Sequence, residues 1–282
     1  MYYYIIDPGK LSQKQFERVQ NELYSSLSEY RVSGENARVS PLRPVSTLID
    51  TALARGAKTI VAVGNDDTLH EVVNALTGQD VVIGFIPLFP TELSEILGLS
   101  SINYACRHIA FRRITLMDAG IINKTLFLSK ITFGFNPDEI NKSAWTWGLK
   151  NFSKISNQPL LDVRFSSDSS FHATAQATAG MIINARKTNS QTLHSDPSDG
   201  MLDVLLLPKL SKLAMFKHRK EIFSGSYENI PTCSVIHSQE IEIASPEGMP
   251  LRVGNRIIAK TPATIKILPK AIKIIVGRDR QF

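Results

Sequence analysis

The polar run Gly64-Asn65-Asp66-Asp67-Thr68 joins a short apolar segment to an amphipathic one. Residues 59–63 are mostly β-branched, which is typical of a buried parallel strand. The apolar residues after the run recur at helical spacing: Leu69, Val72, Val73 and Leu76. A helix that begins in such a turn offers free backbone N–H groups and the positive end of its dipole. The run predicts a place to hold phosphate, with Asp67 or Thr68 capping the helix; the alternative is a turn that binds nothing.

A second segment of the same kind follows. Residues 81–86 form a continuous apolar run that ends at Pro87, and a short helix is predicted over residues 92–97. Ligands of parallel sheets bind beyond the carboxyl ends of the strands. We therefore expect any nucleotide to bind at the turns at Gly64 and Pro87, with Thr91 and Glu92 at the start of the second helix. Such a site would lie in the cleft between two domains, whose bounds are given below.

The elements that position these turns change character along the chain. Up to about residue 111, strands alternate with helices over residues 12–30, capped by Ser12, and 45–55. After that point closely spaced strands prevail, interrupted by helical patches over 140–152 and 209–223. The sequence predicts a three-layer α/β domain over residues 1–111 and a β-sandwich-like domain over 112–282, whose tail after Lys270 is expected to pack on the first domain.

Composition excludes several classes of protein. The chain has 282 residues, 43% of them hydrophobic, and no apolar stretch near the about 20 residues of a spanning helix. The N-terminus lacks the pattern of a signal peptide. Cys106 and Cys233 are far apart and outside metal-ligand spacings. A reduced, cytoplasmic protein is expected.

The net charge of +6 comes partly from basic clusters, which suit phosphates or an anionic membrane surface, or are simply solvated. They are Arg107, His108, Arg112 and Arg113; Lys209, Lys212, Lys217, His218, Arg219 and Lys220; and Lys266, Lys270, Lys273, Arg278 and Arg280. No nucleic-acid motif is present, so a lipid or membrane partner is preferred, with a homodimer left open. Trp145 and Trp147 mark a lipid-facing surface, a lid or core packing.

The run from Gly64 to Leu76 resembles the GGDGTLNEVVNGL signature of diacylglycerol kinases, bacterial lipid kinases and sphingosine kinases and, more distantly, of NAD kinases. The resemblance continues in Asp7-Pro8, Ile86-Pro87-Leu88, Asp118-Ala119-Gly120 and the stretch Asp196 to Val204, which is similar to aP-x-DG-x-LDV. It implies ATP bound with Mg²⁺ along residues 64–68 and at Pro87, Thr91 and Glu92.

The resemblance also implies that Asp66 holds the Mg²⁺ through water. Asp196 and Asp199 either hold a structural cation or form an acidic turn. Thr68 either binds phosphate or caps its helix. His70 replaces an Asn of the signature and is expected to be a surface histidine.

Three departures from the family pattern fall where phosphate or a proton is handled. Asn65 and Asp67 replace glycines, and Asn and Asp are expected to preserve the turn by tolerating left-handed φ. Phe89-Pro90 replaces glycines of the second loop. The family's Asp-Gly-Glu, whose Asp is the presumed base, corresponds to the stretch Val253-Gly254-Asn255-Arg256, with the base near Gly254, Asn255 and Arg256; no carboxylate stands there, so no catalytic residue is assigned.

These departures leave three hypotheses for function. The first is a lipid kinase of diacylglycerol type whose activity is weak or lost. The second is a non-catalytic descendant that binds lipid or protein. An NAD kinase is a weaker third hypothesis.

Overall fold

The computed structural model describes residues 1–9, 11–134, 160–167, 171–187 and 195–282. The chain divides into two compact units, Met1–Asp118 with Pro269–Phe282, and Ala119–Leu268. The helix predicted over 140–152, with Trp145 and Trp147, lies outside the described residues. Within the described parts of the chain, no helix is both long and apolar enough to cross a membrane.

The first unit is an α/β domain. Its parallel strands pair in the order β2-β1-β3-β4 and are β1 (Tyr2–Ile6), β2 (Glu35–Arg38), β3 (Thr59–Gly64) and β4 (Val82–Pro87). Its helices are α1 (Gln13–Glu29), α2 (Val45–Ala54), α3 (Asp66–Ala75), α4 (Glu92–Ile96) and α5 (Ile102–Phe111). Strand β3 is buried along its whole length, as its β-branched sequence predicts. Ser12 caps α1 by accepting a hydrogen bond from the Gln15 amide, which confirms the predicted cap.

The second unit contains two antiparallel layers. One is ordered β12-β11-β10-β7-β14-β15, with strands β7 (Lys130–Gly134), β10 (Ala179–Ile183), β11 (Leu202–Leu207), β12 (Ser234–Ser238), β14 (Pro250–Val253) and β15 (Arg256–Lys260). The other contains β8 (Leu161–Ser167), β9 (Phe171–Ala177), β13 (Glu240–Ser245) and the first part of β16 (Ala263–Ile275). Strand β5 (Ile114–Ile122) enters this unit and pairs with β6 (Thr125–Phe127).

One hydrophobic core fills the space between these two layers. Phe133, Val204 and Leu251 come from the first layer, and Val163 and Ile243 come from the second. A second apolar cluster lies on the outer face of β10 and β11, where α6 (Lys212–Lys217) and α7 (Arg219–Ser224) pack. The α/β domain followed by a β-sandwich-like domain confirms the predicted fold class.

The C-terminal segment returns to the first unit. Ile274 of β16 pairs in parallel with Ile83 of β4. The amides of Gly277 and Gln281 donate to the carbonyls of Leu97 and Ile96 at 2.8 and 2.9 Å. The last residues are therefore held by backbone hydrogen bonds to the end of α4.

The structure differs from the predicted elements where a local signal misleads. Strand β16 is one long strand although Pro269 lies within it, a residue that usually ends or interrupts a strand. In the structure the strand continues through Pro269, and Lys270, at φ +52°, donates its amide to Asp118 Oδ1 at 2.6 Å. Strand β2 was not predicted, since only Ala37 of its four residues is buried.

Candidate functional site

The helix N-terminus that follows β3 is closed by its own side chains. Asn65 is the N-cap of α3, and its Oδ1 accepts from the Thr68 amide at 3.0 Å. The Thr68 hydroxyl accepts in return from the Asn65 amide at 3.3 Å. The N-cap is Asn65 and neither Asp67 nor Thr68, because the helix already begins at Asp66, but Thr68 contributes to the cap as the third residue of the helix. Two of the amides that such a terminus offers to an anion are thus satisfied within the protein.

Thr68 also ties this turn to the end of β1. Its hydroxyl donates to Asp7 Oδ2 at 2.8 Å, and Asp7 Oδ1 accepts from the Gly9 amide at 2.9 Å. Thr68 is buried directly against Gly64, where a Cβ would overlap the threonine side chain. Glycine is required at position 64 by this close approach. The sequence reasoning missed the link to Asp7, since nothing local indicates that residues 61 positions apart meet.

The two residues that replace glycines do not use left-handed backbone. Asn65 has φ −114° and ψ −172°, an extended conformation, and Asp67 lies within the first turn of α3. The expectation that they preserve the turn by tolerating left-handed φ is therefore wrong. Asn65 instead contributes a side-chain cap that glycine lacks, and Asp67 contributes an exposed negative charge.

Asp66 joins this turn to the second one. Its Oδ2 accepts from the Leu93 amide at 3.3 Å, and its carboxylate also accepts from the Thr91 hydroxyl. Its Oδ1 is buried with no hydrogen-bond partner among the described residues. Burial raises the pKa of Asp66 to about 6, against the opposing effect of the bonds from Thr91 and Leu93. The carboxylate thus occupies the N-terminus of α4.

The N-terminus of α4 is closed in the same way as that of α3. Thr91 is the N-cap, and its hydroxyl accepts from the Ser94 amide at 3.1 Å. Glu92 and Glu95 add two acids to the first turn. Pro87 is the last residue of β4 and is buried beside Gly64, its partner in the strand pair. The structure therefore brings residues 64–68, Pro87, Thr91 and Glu92 to one edge of the first unit's sheet.

His70 is not the surface histidine that the sequence predicts. It is 8% exposed, and its Nδ1 donates to the Asp66 carbonyl one turn earlier at 2.8 Å. The imidazole is consequently part of the packing of α3, with the tautomer set by the carbonyl, which can only accept.

The residues predicted to stand near the position of the family's base form a hairpin turn. Gly254 and Asn255 form the two-residue connection between β14 and β15, with Gly254 at φ +56°. These two residues and Arg256 are exposed. None of the three side chains accepts a proton near neutral pH, so this turn offers no general base.

Asp196 and Asp199 lie in the second unit, where their side chains accept hydrogen bonds within a turn. Asp196 Oδ1 accepts from the Ser198 amide at 2.9 Å and its hydroxyl at 2.6 Å, and Asp199 Oδ1 accepts from the Met201 amide at 2.8 Å. These bonds are those of aspartates that stabilise a turn. Their role in holding a cation stays a prediction.

The residues of the site differ in how well they suit Mg²⁺ and how well they suit the phosphates of a nucleotide. Within the part of the chain that the structure describes, no group of three or more His, Cys, Asp or Glu side chains is placed to hold a metal ion. The buried Oδ1 of Asp66 is one oxygen that a metal-bound water could satisfy. The two helix N-termini that would hold phosphates are filled by side chains, and acids line both. The residues present therefore fit a metal-bound water better than they fit phosphate.

Comparison with known proteins agrees with this architecture. The family described as "Diacylglycerol kinase catalytic domain" matches residues 5–120, and the "YegS C-terminal NAD kinase beta sandwich-like domain" matches residues 191–276. A protein of Mycobacterium tuberculosis named "Diacylglycerol kinase" is 22% identical over 250 residues, which cover 82% of this chain and 81% of that protein.

Solved structures show the same fold. A putative diacylglycerol kinase from Bacillus anthracis superposes with a TM-score of 0.79 at 17% identity, covering 98% of this chain and 95% of that one. An NAD kinase from Archaeoglobus fulgidus in complex with ATP gives 0.55 at 13% identity, covering 99% and 95%. The solved structures show the fold of this chain. The two matched domain families, together with the mycobacterial relative, support the diacylglycerol and lipid kinase family for it.

Proposed function

We propose that this protein derives from an ATP-dependent kinase that transferred the γ-phosphoryl group to a lipid hydroxyl of diacylglycerol type, and that its own activity is weak or lost. The observation that carries the proposal is the cap of α3, where Asn65, in place of a glycine of the family pattern, accepts from the Thr68 amide. A side chain of the protein itself thus occupies an amide at the N-terminus of α3. A helix N-terminus binds phosphate only while its amides remain available.

Charge acts in the same direction. Asp66 and Asp67 stand in the first turn of α3, and Glu92 and Glu95 stand in the first turn of α4. Unit charges about 4 Å apart repel by about 1 kcal/mol in water and about 4 kcal/mol near a protein surface. Phosphoryl transfer depends on positioned positive charge around the phosphates. A nucleotide placed against these turns would meet acids instead.

The missing base lowers the expected rate further. In the family pattern a carboxylate within the stretch corresponding to residues 253–256 would take the proton of the attacking hydroxyl, and this chain has no carboxylate there. Positioned bases contribute typically ~10²–10⁴-fold in rate. Weak nucleotide binding together with no base favours the non-catalytic alternative, a protein that keeps the fold to bind lipid or another protein.

Mg²⁺ and ATP remain the proposed cofactors of any residual activity, with Asp66 Oδ1 toward a metal-bound water. The NAD kinase hypothesis is weaker, because the stretch from Asp196 to Val204 matches the lipid-kinase pattern well. A cytoplasmic location, peripheral membrane attachment and a homodimer are proposed as well.

The test is transfer of label from [γ-³²P]ATP with Mg²⁺ to diacylglycerol, monoacylglycerol and a sphingoid base in mixed micelles. We expect turnover near the blank for the wild type and for Asp66→Ala. Asp50→Asn, an exposed change on α2, serves as the control for handling of the protein. Robust turnover that survives in Asp50→Asn and disappears in Asp66→Ala would contradict the proposal.

A further inference from the structure

Helix α6 presents an unusual outer side in the second unit. Its inner side is anchored by Met215, which is buried with Ile222 against the outer face of β10 and β11. Its outer side carries Leu213, 79% exposed, and Phe216, 57% exposed. These two residues are three positions apart and share one side of the helix. Large apolar side chains exposed together mark an interaction site more often than isolated ones do.

Cations surround this apolar pair. We call the set the basic apolar patch, and it consists of Lys209, Leu213, Phe216, Lys217, Arg219 and Lys220, all exposed. The guanidinium carbon of Arg219 lies 4.7 Å from the centroid of the Phe216 ring, and its Nη1 donates to the Phe216 carbonyl at 3.0 Å. The arrangement therefore holds a cation directly against an exposed aromatic ring.

Among the residues that the structure describes, no carboxylate forms an ion pair with the cations of the patch. Residues 208–220 contain no Asp or Glu. The next acid, Glu221, is half-buried with its Oε2 inside the protein, and Glu228 is buried in an ion pair with Arg186 at 3.0 Å. The surface thus combines exposed apolar side chains with uncompensated positive charge.

We infer that the basic apolar patch docks on an anionic lipid surface. Leucine and phenylalanine would enter the boundary between headgroups and acyl chains, while lysines and arginine contact the headgroup phosphates. A nucleic acid or acidic protein would use the cations but would gain little from an exposed leucine, so the pairing of both features favours lipid. The inference rests on the peripheral membrane attachment proposed above and names the surface that would make it. Docking needs no nucleotide, so vesicle binding can be measured whether or not the protein transfers phosphate.

The test is flotation of the full chain with vesicles of phosphatidylcholine alone or mixed with phosphatidylglycerol. We expect binding only to the anionic vesicles, weakened by added salt because exposed charges are screened. Removing Lys217 and Lys220 as Gln should lower partitioning about five-fold per cation, from about 1 kcal/mol each. Leu213→Ser with Phe216→Ser should lower it about ten-fold or more.

The matched control is Phe111→Ser. Phe111 is also an exposed aromatic, 66% exposed, with the Arg107 guanidinium 5.5 Å from its ring centroid. This variant should partition like the wild type. Absence of wild-type binding, or equal losses in Phe111→Ser and the patch variants, overturns the inference. So does retained vesicle binding in Leu213→Ser/Phe216→Ser together with displacement by a single-stranded oligonucleotide, which would assign the patch to nucleic acid.

Discussion

The turn after β3 and the turn after β14 both depart from the family pattern, but the substituted residues make different contacts in the two turns. In the first, Asn65 caps α3, Thr68 bonds Asp7 and Asp66 bonds Leu93 at the start of α4. In the second, Gly254 and Asn255 form an exposed hairpin connection. The first turn has been rebuilt into a network that fills its own anion-binding amides. The second holds no carboxylate and is an open connection, with Gly254 at φ +56°.

The largest expected difference between the two turns is the loss of stability on substituting their glycines, Gly64 and Gly254. Gly64→Ala should lower the free energy of unfolding by about 2 kcal/mol or more, because its Cβ would overlap the buried Thr68 side chain. Gly254→Asn should cost less than about 1 kcal/mol, since nothing lies within 4 Å of the added Cβ and Asn tolerates left-handed φ. Urea unfolding followed by circular dichroism measures both values. Equal costs would remove the distinction between a packed turn and an open one.

Asp66 should make the first turn sensitive to pH. Its pKa is raised to about 6 in the folded protein, above the value of 3.8 that the unfolded chain has, so the folded state holds the proton more tightly. The protonated Asp66 side chain therefore contributes to the free energy of unfolding in full below about pH 4. This contribution, on the order of 2 kcal/mol, is lost as the pH rises through about 6.

Asp66→Asn removes this titration and should be more stable than the wild type at about pH 7, with the advantage shrinking toward about pH 4. Thermal or urea unfolding across that range measures the difference. A constant offset between the two proteins at every pH would show that Asp66 keeps an ordinary pKa. Asp50→Asn, on the exposed side of α2, is the control that should follow the wild-type curve.

A smaller effect is expected for single hydrogen bonds. Thr68→Val keeps the shape of the side chain but removes the donor to Asp7 and the acceptor for the Asn65 amide, at a cost of about 1 kcal/mol or more. Asn255→Ala in the hairpin should stay within about 0.5 kcal/mol of the wild type. The same unfolding measurement applies. A negligible effect of Thr68→Val would mean that the network around the first turn adds nothing to stability.

Sequence reasoning reached the fold because its signals are local. The β-branched run of β3 and the spacing of Leu69, Val72 and Val73 belong to neighbouring residues, and they predicted the strand and the helix correctly. The hydrogen bonds of Thr68 to Asp7 and of the Leu93 amide to Asp66 could not be predicted from the sequence, because these residues come together only once the sheet has formed. His70 was misjudged for the same reason, since its burial depends on what packs on α3.

The residues of the site follow the same division. Which turns lie together could be predicted from the parallel strands that precede them. The role of Asp66 in these turns could not be predicted from the sequence, because a carboxylate that follows a strand can equally be a metal ligand, an acid near a phosphate or a helix cap. Only the contacts with Thr91 and Leu93 show that it closes the next helix.

The central claim is that the protein's own side chains occupy the amides that would hold a nucleotide's phosphates. Isothermal titration with Mg-ATP tests it most directly, using the wild type beside the double variant Asn65→Gly/Asp67→Gly, which removes the cap and the extra charge of the first turn. The account predicts little or no heat for the wild type and stronger binding in the double variant. Tight Mg-ATP binding by the wild type, abolished in Asp66→Ala and unchanged in Asp50→Asn, would contradict it.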